Sequence, residues 1–118
     1  MNFRFPKSEK LKSRKTIELL FTEGKSVTKF PVKVFYLPIE NAKKHQAGFA
    51  VPKRNFKNAV DRNRIKRQLR EAYRLQKHLL KIDGDLKFAL FFLYLGKEKL
   101  EYGSIEKAMI VLLEKIKI

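Results

Sequence analysis

Apolar positions along the chain fall into runs whose spacing switches from helical to strand-like and back. From Ser13 the run through Glu23 puts Ile17, Leu20 and Phe21 on one helical face, with Ser13 as N-cap and Gly24 as a left-handed stop. Between Phe30 and Ile39, Val32, Val34 and Tyr36 alternate with Lys33, Phe35 and Leu37, the period of a strand, and Pro31 and Pro38 suit its ends. A polar loop, 40–45, separates it from a second strand, Gln46 to Val51, closed by Pro52; the two are expected to pair as a hairpin. Asn58 to about Ile82 reads as the longest helix, with Ile65, Leu69, Ala72, Tyr73, Gln76, Leu79 and Leu80 on one side and a turn at Asp83-Gly84-Asp85. Leu86 to Leu95 is apolar at nearly every position, which predicts the buried centre of a sheet. After Gly96 a charged connection leads to Ser104, read as the N-cap of a last helix with the stripe Ile105, Ala108, Met109, Leu112, Leu113 and Ile116.

The periodicities therefore give helix, two strands, helix, strand, helix. No repeat, linker or low-complexity tract divides them, and 118 residues support one modest core, so a single domain, 1–118, is expected. Hydrophobic residues are 44% of the chain and ten of them are Phe, which marks a folding sequence rather than a disordered basic tail.

Charge changes the picture. Twenty-eight Lys and Arg against 12 Asp and Glu leave +16, far more than solubility asks of a small domain. A polyanion is the economical partner, because phosphate contacts release condensed counterions. A membrane surface would also want a lipid-facing amphipathic segment or a lipid anchor, and the longest apolar run, near Phe88 to Leu95, is too short to span a bilayer. The absence of cysteine excludes disulfides, zinc knuckles and thiol chemistry. The amino end lacks the apolar core of a secretory signal, so a cytoplasmic location is expected.

The basic residues concentrate from Lys53 to Lys81, where only Asp61 and Glu71 oppose them. On a helical wheel Arg64, Lys66, Arg67, Arg70 and Arg74 sweep an arc opposite the Ile65, Leu69, Ala72 face, with Arg62 at its border. Arginine outnumbers lysine in the first turns, and its planar fork of donors suits phosphates and guanine edges. The helix N-terminus adds unpaired N–H groups near Lys57 to Asn63. A run of Lys and Arg is often only a solvated face; the whole-chain charge and the arginine clustering favour a nucleic-acid surface instead.

Other chemistry is thin. His45 and His78 have no carboxylate or thiol set around them in sequence, Asp83 and Asp85 flank a glycine as in ordinary turns, and Tyr73 and Tyr94 read as structural. No nucleophile, base and oxyanion donor assemble. A DNA-binding regulator would need helix-turn-helix spacing that the basic segment does not show. A ribosomal or RNA-chaperone protein with the same basic helix stays open on composition alone.

The segment Arg62-Asn63-Arg64-Ile65-Lys66-Arg67, followed by Leu69-Arg70-Glu71-Ala72 and preceded by Asn58-Ala59-Val60, resembles the signature helix of the protein component of bacterial ribonuclease P. The resemblance extends through Gly48-Phe49-Ala50-Val51-Pro52-Lys53-Arg54 to the first helix and the Phe-rich strand, and so covers most of the chain. Two departures stand out. Lys57 replaces a glycine common in the family, in a loop from Lys53 to Lys57 that is one residue longer, and Ile17 replaces the earlier of two aromatics on the first helix.

The resemblance implies an α+β single-domain α-β-β-β-α-β-α sandwich with a central sheet, ribosomal protein S5 domain 2-like, including a short strand near Ser26 to Phe30 that periodicity misses. It also implies a left-handed β-α-β crossover, where physical rules alone favour the right-handed one. By the same resemblance the chain is a non-catalytic subunit: a catalytic RNA partner carries the active site and holds most of the Mg2+, the protein itself holding no cofactor. The complex, one protein to one RNA, removes the 5′ leader of precursor tRNA, with no role for DNA or membrane. Lys53, Arg54, Arg62, Asn63, Arg64, Lys66, Arg67 and Arg70 would contact RNA, with Arg62, Lys66 and Arg70 also within reach of the leader. A cleft between the first helix and the sheet, with Ile17, Phe21, Lys33 and Phe35, would take the leader, since single strands combine cationic grooves with aromatic faces. Phe21 could equally be plain core.

Overall fold

The computed structural model describes residues 5–40, 42–80 and 86–116. Helix α1 (Arg14–Glu23) leads to strands β1 (Lys25–Lys29), β2 (Val32–Ile39) and β3 (Gln46–Ala50). Helix α2 (Ala59–Gln76), strand β4 (Lys87–Tyr94) and helix α3 (Tyr102–Lys115) follow. Short 3-10 turns at Lys7–Glu9 and Lys77–Leu79 complete it. This is the expected α-β-β-β-α-β-α order.

The strands form one sheet in the order β1-β2-β4-β3, with β4 antiparallel to β2 and parallel to β3. The expected hairpin between the second and third strands does not form. β4, apolar on both faces, lies between them, because it is the one strand that gains by being covered above, below and on both edges. The hairpin is instead β1–β2, paired Lys25↔Tyr36 to Lys29↔Val32, and its first strand carries only one partly buried residue, Val27, which is why alternation does not reveal it. Helix α2 connects the parallel neighbours β3 and β4.

Side-chain alternation sorts the core into two layers. Val32, Val34 and Tyr36 of β2 and Phe88, Leu90, Phe92 and Tyr94 of β4 face α2 and α3, where Ile65, Leu69, Ala72 and Tyr73 meet Ile105, Ala108, Met109, Leu112, Leu113 and Ile116. On the other face Ala89 packs under Leu20 and Leu11, with Ile17, Phe35, Leu37, Ile39 and Phe91 partly covered. Among the described residues, no helix is long and apolar enough to cross a membrane.

Several boundaries differ from expectation. Ser13 caps α1 by accepting Thr16 N–H at 3.2 Å. Gly24 ends α1 with an extended backbone, φ −72°, not a left-handed one; a Cβ there would strike the Leu20 carbonyl oxygen, so glycine is needed for close approach rather than for its φ. Helix α2 loosens to a 3-10 turn after Gln76, and the expected end near Ile82 with its Asp83-Gly84-Asp85 turn lies outside the described residues. Ser104 is not the cap of α3. The helix begins at Tyr102, after Glu101, and Ser104 donates its N–H to the Glu101 carbonyl at 3.0 Å; the extra turn seats Tyr102 beside Arg64 and Gln68 of α2.

His45 turns out to be structural. Its Nδ1 accepts the Phe88 N–H at 3.0 Å, tying the start of β3 to β4 and requiring a neutral ring. Burial chiefly, and then the charge of Lys87, push its pKa below the ordinary value, against a smaller upward pull from Glu9. Because the folded pKa lies below the unfolded one, this contribution is complete above the unfolded pKa of about 6.5 and is lost as pH falls through the folded value. Denaturant midpoints should therefore fall between about pH 7 and about pH 5.5, a range in which unperturbed carboxylates do not titrate. His45→Gln, which keeps an acceptor without titrating, should flatten that part of the profile; an unchanged slope would remove His45 as its source.

Candidate nucleic-acid interface

Asn58 starts α2 by accepting the Val60 N–H at 2.9 Å, and the loop before it is pinned from both sides. Phe56 is buried, its ring 5.9 Å from that of Tyr94, while Arg62 Nη1 donates to the carbonyls of Phe56 at 2.7 Å and Lys57 at 2.9 Å. The loop therefore has a defined path: a turn in which Asn55 N–H donates to the Pro52 carbonyl presents Lys53 and Arg54 to solvent. Arg62 is a strap for this loop, its fork already half engaged.

Asn63, Arg64, Arg67 and Arg70 are exposed, and Lys66 is half-buried at the border of the apolar face. The few acids nearby are neutralised. Lys99 reaches across from the β4–α3 connection to Asp61 at 3.2 Å, and Arg74 Nε donates to Glu71 at 3.1 Å. That bond holds the Glu71 carboxyl below its usual range. What α2 shows to solvent is thus almost wholly positive, with guanidiniums leading. Beside Arg64, the groove between α2 and α3 is lined by Gln68, Lys99 and Tyr102, whose hydroxyl is buried without a hydrogen-bond partner among the described residues.

The expected cleft residues also come together. Phe35 and Phe91 are cross-strand partners, and Phe21 caps both edge-on, with ring centroids 4.9 Å from Phe35 and 5.4 Å from Phe91. Lys33 Nζ lies 4.9 Å from the centre of the Phe35 ring, a cation–π contact. On β3, Gly48 lets the Phe91 ring lie close: a Cβ there would be 3.2 Å from Phe91 Cδ1 and 3.5 Å from Leu11 Cβ. Phe21 is 51% exposed, so it is no core residue, whereas Phe35 is half-buried beneath Phe21 and Lys33. Ile17 packs into the layer under α1 and offers no open surface equal to that of Phe21.

The two sets lie on opposite faces of the sheet. The arginines belong to the α2 side and the aromatics to the α1 side, and the loop carrying Lys53 and Arg54 joins them at the end of edge strand β3. Sequence patterns alone missed Phe91, Gly48, Lys99 and Tyr102. Phe91 sits in a run apolar on both faces, and only the strand register tells which neighbours it shares; Lys99 and Tyr102 act through tertiary contacts that no local pattern encodes. Among the described residues no group of three or more His, Asp or Glu side chains lies together as a metal site would need.

Comparison with known proteins matches this geometry to one family. The Ribonuclease P family profile matches residues 5–117. The ribonuclease P protein component of Porphyromonas gingivalis is 36% identical over 115 residues, covering 91% of this chain and 82% of that one. The component from Streptococcus agalactiae is 35% identical over 109 residues, covering 92% and 94%. The ribonuclease P protein from Thermotoga maritima superposes with a TM-score of 0.75 at 25% identity over 92% of this chain and 97% of that one. The Staphylococcus aureus protein, at 21% identity, shares the fold with a TM-score of 0.74 over 89% and 92%. With nearly its whole length matched, and with its basic helix and sheet order in place, the chain belongs to the ribonuclease P protein family.

Proposed function

We propose that this chain is the RNA-binding, non-catalytic subunit of a ribonuclease P, working in the cytoplasm as one protein to one catalytic RNA. Its exposed α2 arginines would bind that RNA, and the Phe21–Phe35–Phe91 cleft would hold the single-stranded 5′ leader of precursor tRNA. The observation that carries the reading is the segregation of charge on α2: its acids are paired, and Arg64, Arg67 and Arg70 are presented to solvent. Hydrolysis of the phosphodiester would fall to the RNA, with Mg2+ held mainly there. The protein's part is to bind, orient and neutralise. Screening the phosphates of two RNAs brought together lowers the Mg2+ concentration that their association needs.

Within this scheme the roles differ by residue. Arg64, Arg67, Asn63 and Arg70 offer donors to phosphates, with Lys53, Arg54 and Lys66 flanking them. Arg62 acts on the loop. Phe21 offers an open ring to a base, with Phe35 and Lys33 supporting it from below.

Purified protein should leave precursor tRNA uncut, and should restore cleavage by a bacterial ribonuclease P RNA at limiting Mg2+. Processing by protein alone, surviving nuclease treatment of the preparation, would overturn the reading. Failure with several such RNAs would favour a chaperone role.

The Arg64→Ala, Arg67→Ala double variant should bind the catalytic RNA with a salt slope shallower by about 2, one per lost phosphate contact, at unchanged thermal stability. Arg62→Ala should do the opposite first. It loses two charge-assisted bonds, one to the carbonyl of buried Phe56 and one to that of exposed Lys57, so a stability loss of about 1 kcal/mol in denaturant titration is expected before any change in slope.

Phe21→Ala should weaken holoenzyme binding to leader-bearing precursor by up to ~1–3 kcal/mol while sparing mature tRNA. Equal losses for both RNAs would exclude Phe21 as a leader contact.

A further inference from the structure

At the pole where α2 ends, four lysines gather round one buried acid. Glu9 is only 6% exposed, and its carboxylate accepts from Lys77 Nζ at 2.9 and 3.2 Å, with Lys44 Nζ 4.0 Å away. Around this pair Lys43, Lys44, His45, Lys87, Tyr73 and Leu80 line an open cavity of about 260 Å3. His45 spends Nδ1 on the Phe88 N–H, so the ring's remaining proton sits on Nε2 as a donor. Among the described residues lining the cavity, one carboxylate balances one ammonium, and three of the four lysines keep their charge in excess.

The fastening role of Glu9 does not account for them. Glu9–Lys77 pins the first 3-10 turn to the end of α2, and Leu11 N–H adds a bond to the Ala47 carbonyl at 2.9 Å. Lys77 does that work at hydrogen-bond distance with Lys44 at the 4.0 Å margin, and neither Lys43 nor Lys87 takes part in it. Holding like charges beside one another costs free energy in the free protein, which an anion in the cavity would recover.

The line of α2 arginines also leads toward the cavity, which Lys77 lines. Asn63, Arg67, Arg70 and Arg74 recur at spacings of four and three, which places them on one narrow arc of the 18-residue α2, and Lys77, its C-cap, follows three residues after Arg74. At 1.5 Å per residue the line from Asn63 to Lys77 runs about 21 Å. We infer that this lysine cavity binds a backbone phosphate of the same catalytic RNA that α2 contacts, so that the RNA footprint runs the whole length of α2 and ends beside Glu9. The inference rests on the RNA-binding reading of α2.

The test uses holoenzyme reconstituted with ribonuclease P RNA. Lys43→Ala, Lys44→Ala, Lys87→Ala in one chain should make the salt slope shallower by about 2 to 3, additive with the α2 double variant, while circular dichroism stays that of the parent. If the triple variant loses structure, a second measurement decides. The chain has no cysteine, so Lys43→Cys carries a unique photocrosslinker, and it should label the catalytic RNA, whereas Lys107→Cys on the exposed side of α3 should not. An unchanged slope in a folded triple variant, or no label from position 43, overturns the inference while the α2 variant still tests the parent reading. Labelling of precursor tRNA alone overturns the assignment to catalytic RNA. Inorganic pyrophosphate binding that the triple variant abolishes, with RNA affinity untouched, would make the cavity a site for free phosphates and also overturn it. If neither variant changes the slope, the RNA reading of α2 fails first.

Discussion

The fold depends on β4 being wanted on every side. Leu90, Phe92 and Tyr94 point into the layer of α2 and α3, Ala89 and Phe91 into the layer of α1, and both edges are hydrogen-bonded. A strand that is apolar on both faces can be stable only at the centre of a sheet covered twice, and such cover requires helices on both sides. That demand sets the remaining topology. Because β4 takes the middle, β2 and β3 become its flanks, α2 must carry the chain from one end of the sheet to the other, and the start of α2 falls at the end of β3. The basic helix and the aromatic cleft are therefore placed on opposite faces by the same strand that makes the core.

Electrostatics then works on a fixed scaffold. The acids near α2 are held by specific partners, Asp61 by Lys99, Glu71 by Arg74 and Glu9 by Lys77. The more exposed of these pairs, Asp61–Lys99 and Glu71–Arg74, add little to stability. Their larger effect is on the field: each takes a negative charge out of play and leaves the surrounding arginines uncompensated. Charge excess that would weakly oppose folding in isolation becomes the driving force for meeting a polyanion.

Helix and strand content, β1 apart, was legible because periodicity depends only on neighbouring residues. The last helix's six apolar positions all lie in the core, and β2 alternates as expected. Pairing was not legible, since a run apolar on both faces says that β4 is central but not which strands flank it. Gly24 was rightly read as a stop, yet the reason is contact with Leu20 rather than a left-handed φ. Ser104 is a good cap by type, but packing of Tyr102 against α2 moved the helix start three residues upstream. Arg62 and Arg64 are the same residue two positions apart. Only the path of the loop, which sequence cannot supply, shows that the first turns inward to carbonyls and the second does not.

At Phe21 tertiary geometry overrides periodicity. Its helical face, shared with Ile17 and Leu20, argues for core, yet Leu20 lands over Ala89 at the middle of the sheet, while Phe21 falls at the margin over Phe35 and Phe91. An aromatic half-exposed at the edge of a packed layer has its ring position fixed by edge-on contacts below, so little side-chain entropy remains to be lost when a base stacks above it. Charge alone would draw any RNA to this protein, and with a slope that salt erases. A preorganised ring discriminates a strand with unstacked bases from a duplex, because only the former has a free face to offer. Under the proposed function, separating the two surfaces across the sheet would let the arginines hold one RNA while the aromatics test another, which a single mixed patch could not do.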